Sequence, residues 1–211
     1  MQLGVYLVTD RRLCGDRGVF ETVRAAVDAG AHSVQYRDKL ASSEEQLRDV
    51  ERLAEIIDGR ALFLVNDSLD VAVEARRRAF RVDGVHLGQG DADPVEARER
   101  LGGDALVGLT ANTPAHVATL NRLPPGTVDY LGVGVIRPTS TKPDHPPALG
   151  IEGFADFVAA ISLPAVAIGG VRVSDVADLR RAGAAGVAVV SAICAAPDVG
   201  EATQRFVEAW A

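Results

Sequence analysis

Val128-Asp129-Tyr130-Leu131-Gly132-Val133 runs without a break into Gly134-Val135-Ile136-Arg137-Pro138-Thr139-Ser140-Thr141-Lys142. The first part is a short apolar run, the pattern of a strand covered on both faces. Gly132 and Gly134 carry no Cβ, so the main chain there can come close to a ligand. Thr139, Ser140 and Thr141 then offer hydroxyls, and Lys142 offers a cation, which together suit a phosphate oxygen. Such a piece alone reads equally well as a polar surface loop. It does not stand alone: nearly every apolar run in the chain ends in a comparable polar cluster.

Working outward, seven more short apolar runs appear, at Leu3–Thr9, Ser33–Tyr36, Ala61–Val65, Gly84–Leu87, Leu106–Leu109, Ala165–Ile168 and Gly186–Val190. Helical patterns separate them. Phe20–Ala29 places Val23, Ala26 and Val27 on one face, with Gly30 as a plausible C-cap. Ser42 and Ser43 offer N-caps to a helix reaching Ile57, along which Leu47, Val50, Leu53, Ala54 and Ile57 form a stripe. Further helices are expected from Ser68 to Arg78, after Asp93 with Pro94 in its first position, and from Thr113-Pro114 to Leu123. The last three are expected over Gly153–Ile161, from a Ser174 cap to Ala182, and over Asp198–Trp210. Eight apolar strands alternating with eight helical segments predict a parallel sheet covered by helices. Eight units in a row favour a closed (β/α)8 barrel over an open doubly wound sheet. With no linker or composition break, residues 1–211 read as one α/β domain, a TIM barrel.

The 211 residues suffice for one sizeable core, and 47% hydrophobic with 24% charged residues is ordinary globular composition. A formal charge of −7 argues against nucleic acid or an anionic membrane as partner. An anionic substrate would then need a local basic site. The two cysteines, Cys14 and Cys194, suggest neither a disulfide framework nor a metal site. No basic and apolar leader precedes the first strand, and no apolar run reaches the roughly 18 residues of a membrane span, so a cytoplasmic location is expected. A homo-oligomer is compatible with all of this.

In a barrel of this kind the loops after the strands carry the chemistry. Gln35, Arg37 and Lys39 alternate, so they point the same way if the second strand continues through them. An amide, a guanidinium and an ammonium on one side suit a diphosphate, although a solvated strand end neutralised by Asp38 would look the same. Asn66-Asp67 and Asp91 follow the next two strands. Two carboxylates fit Mg2+, which takes oxygen ligands and keeps waters and substrate phosphates; each aspartate alone reads as a helix cap. Gly169-Gly170 and Val190-Ser191 follow strands seven and eight, where many barrels hold a phosphate, and Thr139 and Thr141 would lie beside them. Two anion sites, one of them with metal, suggest two phosphorylated substrates and displacement of diphosphate. Ser191 has no evident histidine partner. His86 reads as a buried, satisfied histidine, and His32, His116 and His145 as incidental.

Tyr6-Leu7-Val8-Thr9-Asp10, Gln35-Tyr36-Arg37-Asp38-Lys39, Asn66-Asp67, the run Gly84–Asp91, Pro138–Lys142 and Gly169-Gly170-Val171 together resemble the thiamine phosphate synthase family, in order from about residue 3 to residue 193. The resemblance implies a transferase of thiamine biosynthesis that couples a hydroxymethylpyrimidine diphosphate to a thiazole phosphate, with Mg2+ as cofactor. It places Gln35, Tyr36, Arg37, Asp38, Lys39, Asn66, Thr110 and Lys142 at the pyrimidine diphosphate, with Arg37, Lys39, Thr110 and Lys142 closest to the chemistry. It places Asp67 and Asp91 on the metal, and Thr139, Ser140, Thr141, Gly170, Val190 and Ser191 at the thiazole phosphate. Ionisation to a pyrimidine carbocation, as the family is thought to use, needs charge stabilisation more than a protein nucleophile. The chain departs from the motif at Thr110 (usually serine), Asn112 (often histidine), Val135 (proline) and Arg137 (a large apolar or aromatic residue). A related thiazole tautomerase group, which relies on a histidine after strand five, and a non-catalytic binding barrel are the rival readings.

Overall fold

The computed structural model describes residues 1–139, 141 and 147–211. Eight strands follow one another as β1 (Gly4–Val8), β2 (Ser33–Tyr36), β3 (Leu62–Asn66), β4 (Gly84–Leu87), β5 (Leu106–Thr110), β6 (Tyr130–Gly134), β7 (Ala165–Ile168) and β8 (Gly186–Val189). Each pairs in parallel with the next, and β8 returns to β1, with Tyr6 opposite Ala188, so the sheet closes into a barrel. The expected (β/α)8 architecture is what the chain adopts.

Strand periodicity sorts the apolar residues into two cores. Val5, Leu7, Val34, Tyr36, Val65 and Val107 face outward into the layer between barrel and helices. Tyr6, Val8, Leu64, Tyr130, Val166 and Ala188 face inward and fill the barrel. Gly108 makes room there: a Cβ at that position would lie 2.3 Å from the Tyr130 ring. Each fully buried Leu, Val or Phe contributes on the order of 1.5–3 kcal/mol of transfer free energy, so both cores stabilise the closed form strongly.

Several helices start where a side chain can satisfy their free N–H groups. Ser42 and Glu45 form a reciprocal capping box at the head of Ser43–Ile57. Asp93 accepts from the Val95 N–H ahead of Pro94–Leu101, and Asp198 from the Glu201 N–H ahead of Val199–Trp210. After Gly18–Asp28, bonds from the Gly30 N–H to the Val27 carbonyl and from the Ala31 N–H to the Ala26 carbonyl close a Schellman turn on Gly30 (φ +91°). The outer layer continues with Leu69–Arg77, Pro114–Leu120, Gly150–Ala159 and Val176–Arg181.

Three local expectations need correction. Ser174 caps no helix: it lies inside a 3-10 turn, Val173–Asp175, from which the helix emerges at Val176. The Thr113 helix stops at Leu120. Short extra helices, Arg11–Cys14 after β1 and Ser191–Cys194 after β8, add to the eight expected segments. Four residues cannot show a periodicity, so neither was visible in the sequence. Cys14 and Cys194 are free and buried, and Cys194 points its thiol at the Val8 carbonyl (3.6 Å). Among the described residues no helix is long and apolar enough to cross a membrane.

Candidate active site

A pocket opens at the C-terminal end of the barrel. Its wall includes Gln35, Arg37 and Lys39 from β2 and its loop, Asn66 and Asp67 after β3, Asp91 after β4, and Thr110 at the end of β5. The opposite wall includes Thr139, Thr141, Gly169, Gly170, Val190 and Ser191. With Val8 from β1, residues from all eight strand ends, far apart in sequence, therefore meet in one cavity.

Alternation along β2 decides which members of Gln35–Lys39 enter it. Gln35 is buried and donates from Nε2 to the Tyr6 hydroxyl (2.9 Å). Arg37 reaches Asp10 (3.3 Å), and the Thr9 hydroxyl, accepting from the Arg37 N–H at 2.8 Å, fixes the main chain there. Lys39 lies 3.4 Å from Asp67. Tyr36 and Asp38, expected at the pyrimidine diphosphate, point the other way and do not line the pocket. The Tyr36 hydroxyl donates to Asp49 (2.8 Å), and Asp38 takes Arg11 and the N–H groups of Leu40 and Ala41. Asp38 thus neutralises neither Arg37 nor Lys39, and both cations keep their access to the pocket.

Asp67 has φ +61°, a left-handed conformation that only short polar side chains adopt readily, and its N–H is tied to the His86 carbonyl at 2.8 Å. Its carboxyl is raised above the usual range by burial first and by the adjoining Asp91 carboxyl second. Asp91 accepts from the Gly88 N–H at 2.6 Å. Neither aspartate caps a helix, since Ser68 and Asp93 occupy those positions. Two like charges side by side, Asp67 half-buried and Asp91 exposed, with Lys39 close by, form a donor set that fits a divalent cation, which would relieve their repulsion. Among the described residues no group of three or more potential ligands exists, so a cation here would depend on water or substrate oxygens for the rest of its shell.

Beneath the pocket a hydrogen-bonded chain crosses the barrel. The Tyr6 and Tyr130 hydroxyls lie 2.9 Å apart, the Tyr130 hydroxyl lies 3.0 Å from His86 Nδ1, and His86 Nε2 lies 3.1 Å from the Thr110 hydroxyl. Burial raises both phenols, Tyr6 to about 12 and Tyr130 well above its ordinary value, so both hydroxyls keep their protons. His86 is buried and bonded as expected, yet it also lines the pocket and orients Thr110. The other described histidines stay apart: His32 accepts from the Val5 N–H (3.2 Å), and His116 backs the loop after β5 by accepting from the Asn112 N–H (3.3 Å).

Among the described residues that line it, the second wall is neutral. Gly169 (φ +89°) and Gly170 (φ +66°) form a turn that no side chain could enter, since a Cβ on Gly170 would lie 2.8 Å from Arg137 Cβ. The Thr139 hydroxyl accepts from the Thr141 N–H (3.2 Å). Ser191 opens a helix of only four residues, so its own hydroxyl and main chain, more than a helix dipole, face the pocket. Ser140, Lys142 and His145 lie outside the described residues. Val8, Val135 and Ile168 add an apolar strip; of the three, the sequence singled out only Val135, as a departure from the motif.

Residues 5–193 match the model of the thiamine monophosphate synthase family. The thiamine-phosphate synthase of Azorhizobium caulinodans is 44% identical over 97% of this chain and 93% of its own. That of Psychrobacter sp. is 42% identical over 97% and 94%. The solved structure of a thiamine phosphate pyrophosphorylase from Pyrococcus furiosus superposes with a TM-score of 0.83 at 31% identity, covering 98% of this chain and 95% of that one. The barrel, its polar C-terminal face and these likenesses lead to one conclusion: the chain belongs to the thiamine monophosphate synthase family, and is a transferase.

Proposed function

We propose that this chain joins hydroxymethylpyrimidine diphosphate to a thiazole phosphate, or to its carboxylate with loss of CO2, forming thiamine phosphate and diphosphate. The observation that carries this reading is the pairing, in one pocket, of a charged wall with a neutral wall of hydroxyls and glycines. The first suits a diphosphate that must gain negative charge as it leaves. The second suits a phosphate that must only be held.

In this scheme the bond between the pyrimidine methylene and the diphosphate oxygen breaks, and its electron pair leaves with diphosphate. The lone pair of the thiazole nitrogen then forms the new C–N bond. Arg37 and Lys39 stabilise the departing charge, and Lys142 is proposed to join them. Gln35 and Asn66 supply amide groups, while Thr110, oriented by His86, borders the pyrimidine. Asp67 and Asp91 would hold Mg2+, which when bound would neutralise charge on the diphosphate. Thr139, Ser140, Thr141, Ser191 and the main chain at Gly170 and Val190 hold the thiazole phosphate. Both partners are positioned before reaction, which can account for a large part of such a rate enhancement.

A coupling assay tests this directly. Purified protein with both substrates and Mg2+ should form thiamine phosphate, and chelation should stop it. Thiazole phosphate binding without product would overturn the proposal in favour of a tautomerase or regulatory barrel. Product formation indifferent to chelator would remove the metal.

A further inference from the structure

Arg137 is one of the places where this chain leaves the motif it otherwise follows, and its guanidinium faces a carboxylate, not the pocket. Nε donates to Asp175 Oδ2 at 3.0 Å and Nη2 to Oδ1 at 2.6 Å. The Asp175 carboxylate is 4% exposed and also accepts from the Arg172 N–H at 3.0 Å. A planar guanidinium makes this two-pronged contact, and an ammonium cannot. The main chains are joined as well: the Ile136 N–H donates to the Ile168 carbonyl (3.0 Å) and the Arg137 N–H to the Gly169 carbonyl (2.9 Å). Gly170 lies so close that a Cβ there would meet the Arg137 carbonyl oxygen at 2.9 Å. One residue further, Pro138 has a fixed φ, so the orientation of Arg137 passes to Thr139 with one free torsion fewer.

We propose that Arg137 and Asp175 form a positioning clasp that holds the segment bearing Thr139 and Thr141 against the Gly169–Gly170 turn, so that hydroxyls and main-chain N–H groups converge on the thiazole phosphate. The proposal rests on assigning that wall to the thiazole phosphate, as above. Arg137 does not line the pocket, so it acts through its neighbours and not as a phosphate ligand.

The test compares wild type with Arg137→Met, Arg137→Lys and Asp175→Asn; the last keeps an acceptor for the Arg172 N–H. Each variant should raise KM for thiazole phosphate roughly tenfold, the size of an ordinary coupling between contacting groups. The KM for pyrimidine diphosphate and kcat should stay close to wild type, and thermal melts would show the fold intact. Arg137→Lys should fail to rescue, because charge without the fork does not close the clasp. The double variant Arg137→Met with Asp175→Asn should be no worse than either single one. A lower KM in Asp175→Asn would mean that Arg137, once released, binds phosphate directly, and the clasp would be wrong. Unchanged KM values, or both rising together, would overturn it equally. Calorimetric binding of inorganic phosphate gives a readout independent of turnover. Wild type that binds phosphate about tenfold tighter than the variants but makes no thiamine phosphate would sink the function and keep the clasp.

Discussion

The two walls of the pocket are built from different materials. On the β2–β4 side, formal charges face one another: Arg37 with Asp10, Lys39 with Asp67, and Asp67 against Asp91. On the β6–β8 side the pocket is lined by hydroxyls, glycines and an apolar strip, and the nearby charges of Arg137 and Asp175 are turned on each other behind it. In the proposed reaction the two walls have different tasks. A leaving diphosphate gains charge in the transition state, so fixed opposite charge lowers the barrier. A phosphate that stays intact gains nothing from extra charge at that moment; uniform binding lowers KM without raising kcat. The charged wall should therefore govern kcat, and the neutral wall KM.

The sharpest way to break that contrast is Asp91→Ala. It deletes a proposed metal ligand and no core volume, so turnover should fall by about three orders of magnitude, several kcal/mol at 1.4 per decade, with an unchanged melting temperature. A wild-type rate would end the Mg2+ assignment. Lys39→Ala should come next, with kcat about a hundredfold lower and the KM for thiazole phosphate unaffected. Should Lys39→Ala change only KM, the charged wall would be a binding wall like the other, and the contrast would collapse.

How much of this was legible in the sequence depended on distance along the chain. The strand Ser33–Tyr36 and the helix Ser43–Ile57 appear in the structure with the ends expected, because a cap, a stripe and an apolar run are local signals. Period-two alternation likewise put Gln35, Arg37 and Lys39 on one side. The same rule sends Tyr36 and Asp38 to the other, and treating the five residues as one motif hid that. The Tyr6–Tyr130 contact joins residues 124 apart, and His86–Tyr130 joins residues 44 apart. Nothing in either strand announces its partner, because facing across a barrel depends on register and closure. Arg137 could be seen as odd at its position, but Asp175, 38 residues on, could not be seen as its reason.

Gly170→Ala probes the neutral wall with a smaller effect. The residue has φ +66°, and its new Cβ would press on Arg137, so about 1–3 kcal/mol of strain is expected. For a chain of this length that is a melting point lower by roughly 2–4 °C per kcal/mol. The KM for thiazole phosphate should rise while kcat for bound substrates holds. A fall in kcat alone would put Gly170 on the reaction side of the pocket and merge the two walls.

The smallest effect expected is a pH dependence that isolates the charges held behind the neutral wall. Asp175 is faced by Arg137 and by the N–H and charge of Arg172, and Arg137 is the main cause that holds its carboxyl below the usual value. A carboxyl depressed in the folded state contributes stability above its unfolded value, near 3.9, and loses that contribution as pH falls through the folded value. Arg137→Met removes the main cause, so it should be less stable than wild type from neutral pH down to about 4 by a constant amount. Below about 4 the two proteins should converge as Asp175 protonates in both. Urea midpoints measured across that window would show it, since every other carboxyl is common to the pair. A difference that persists undiminished into acid would mean that Arg137 stabilises by packing its stem over Gly170. The pair would then be a contact between loops and not an ion pair kept out of the pocket.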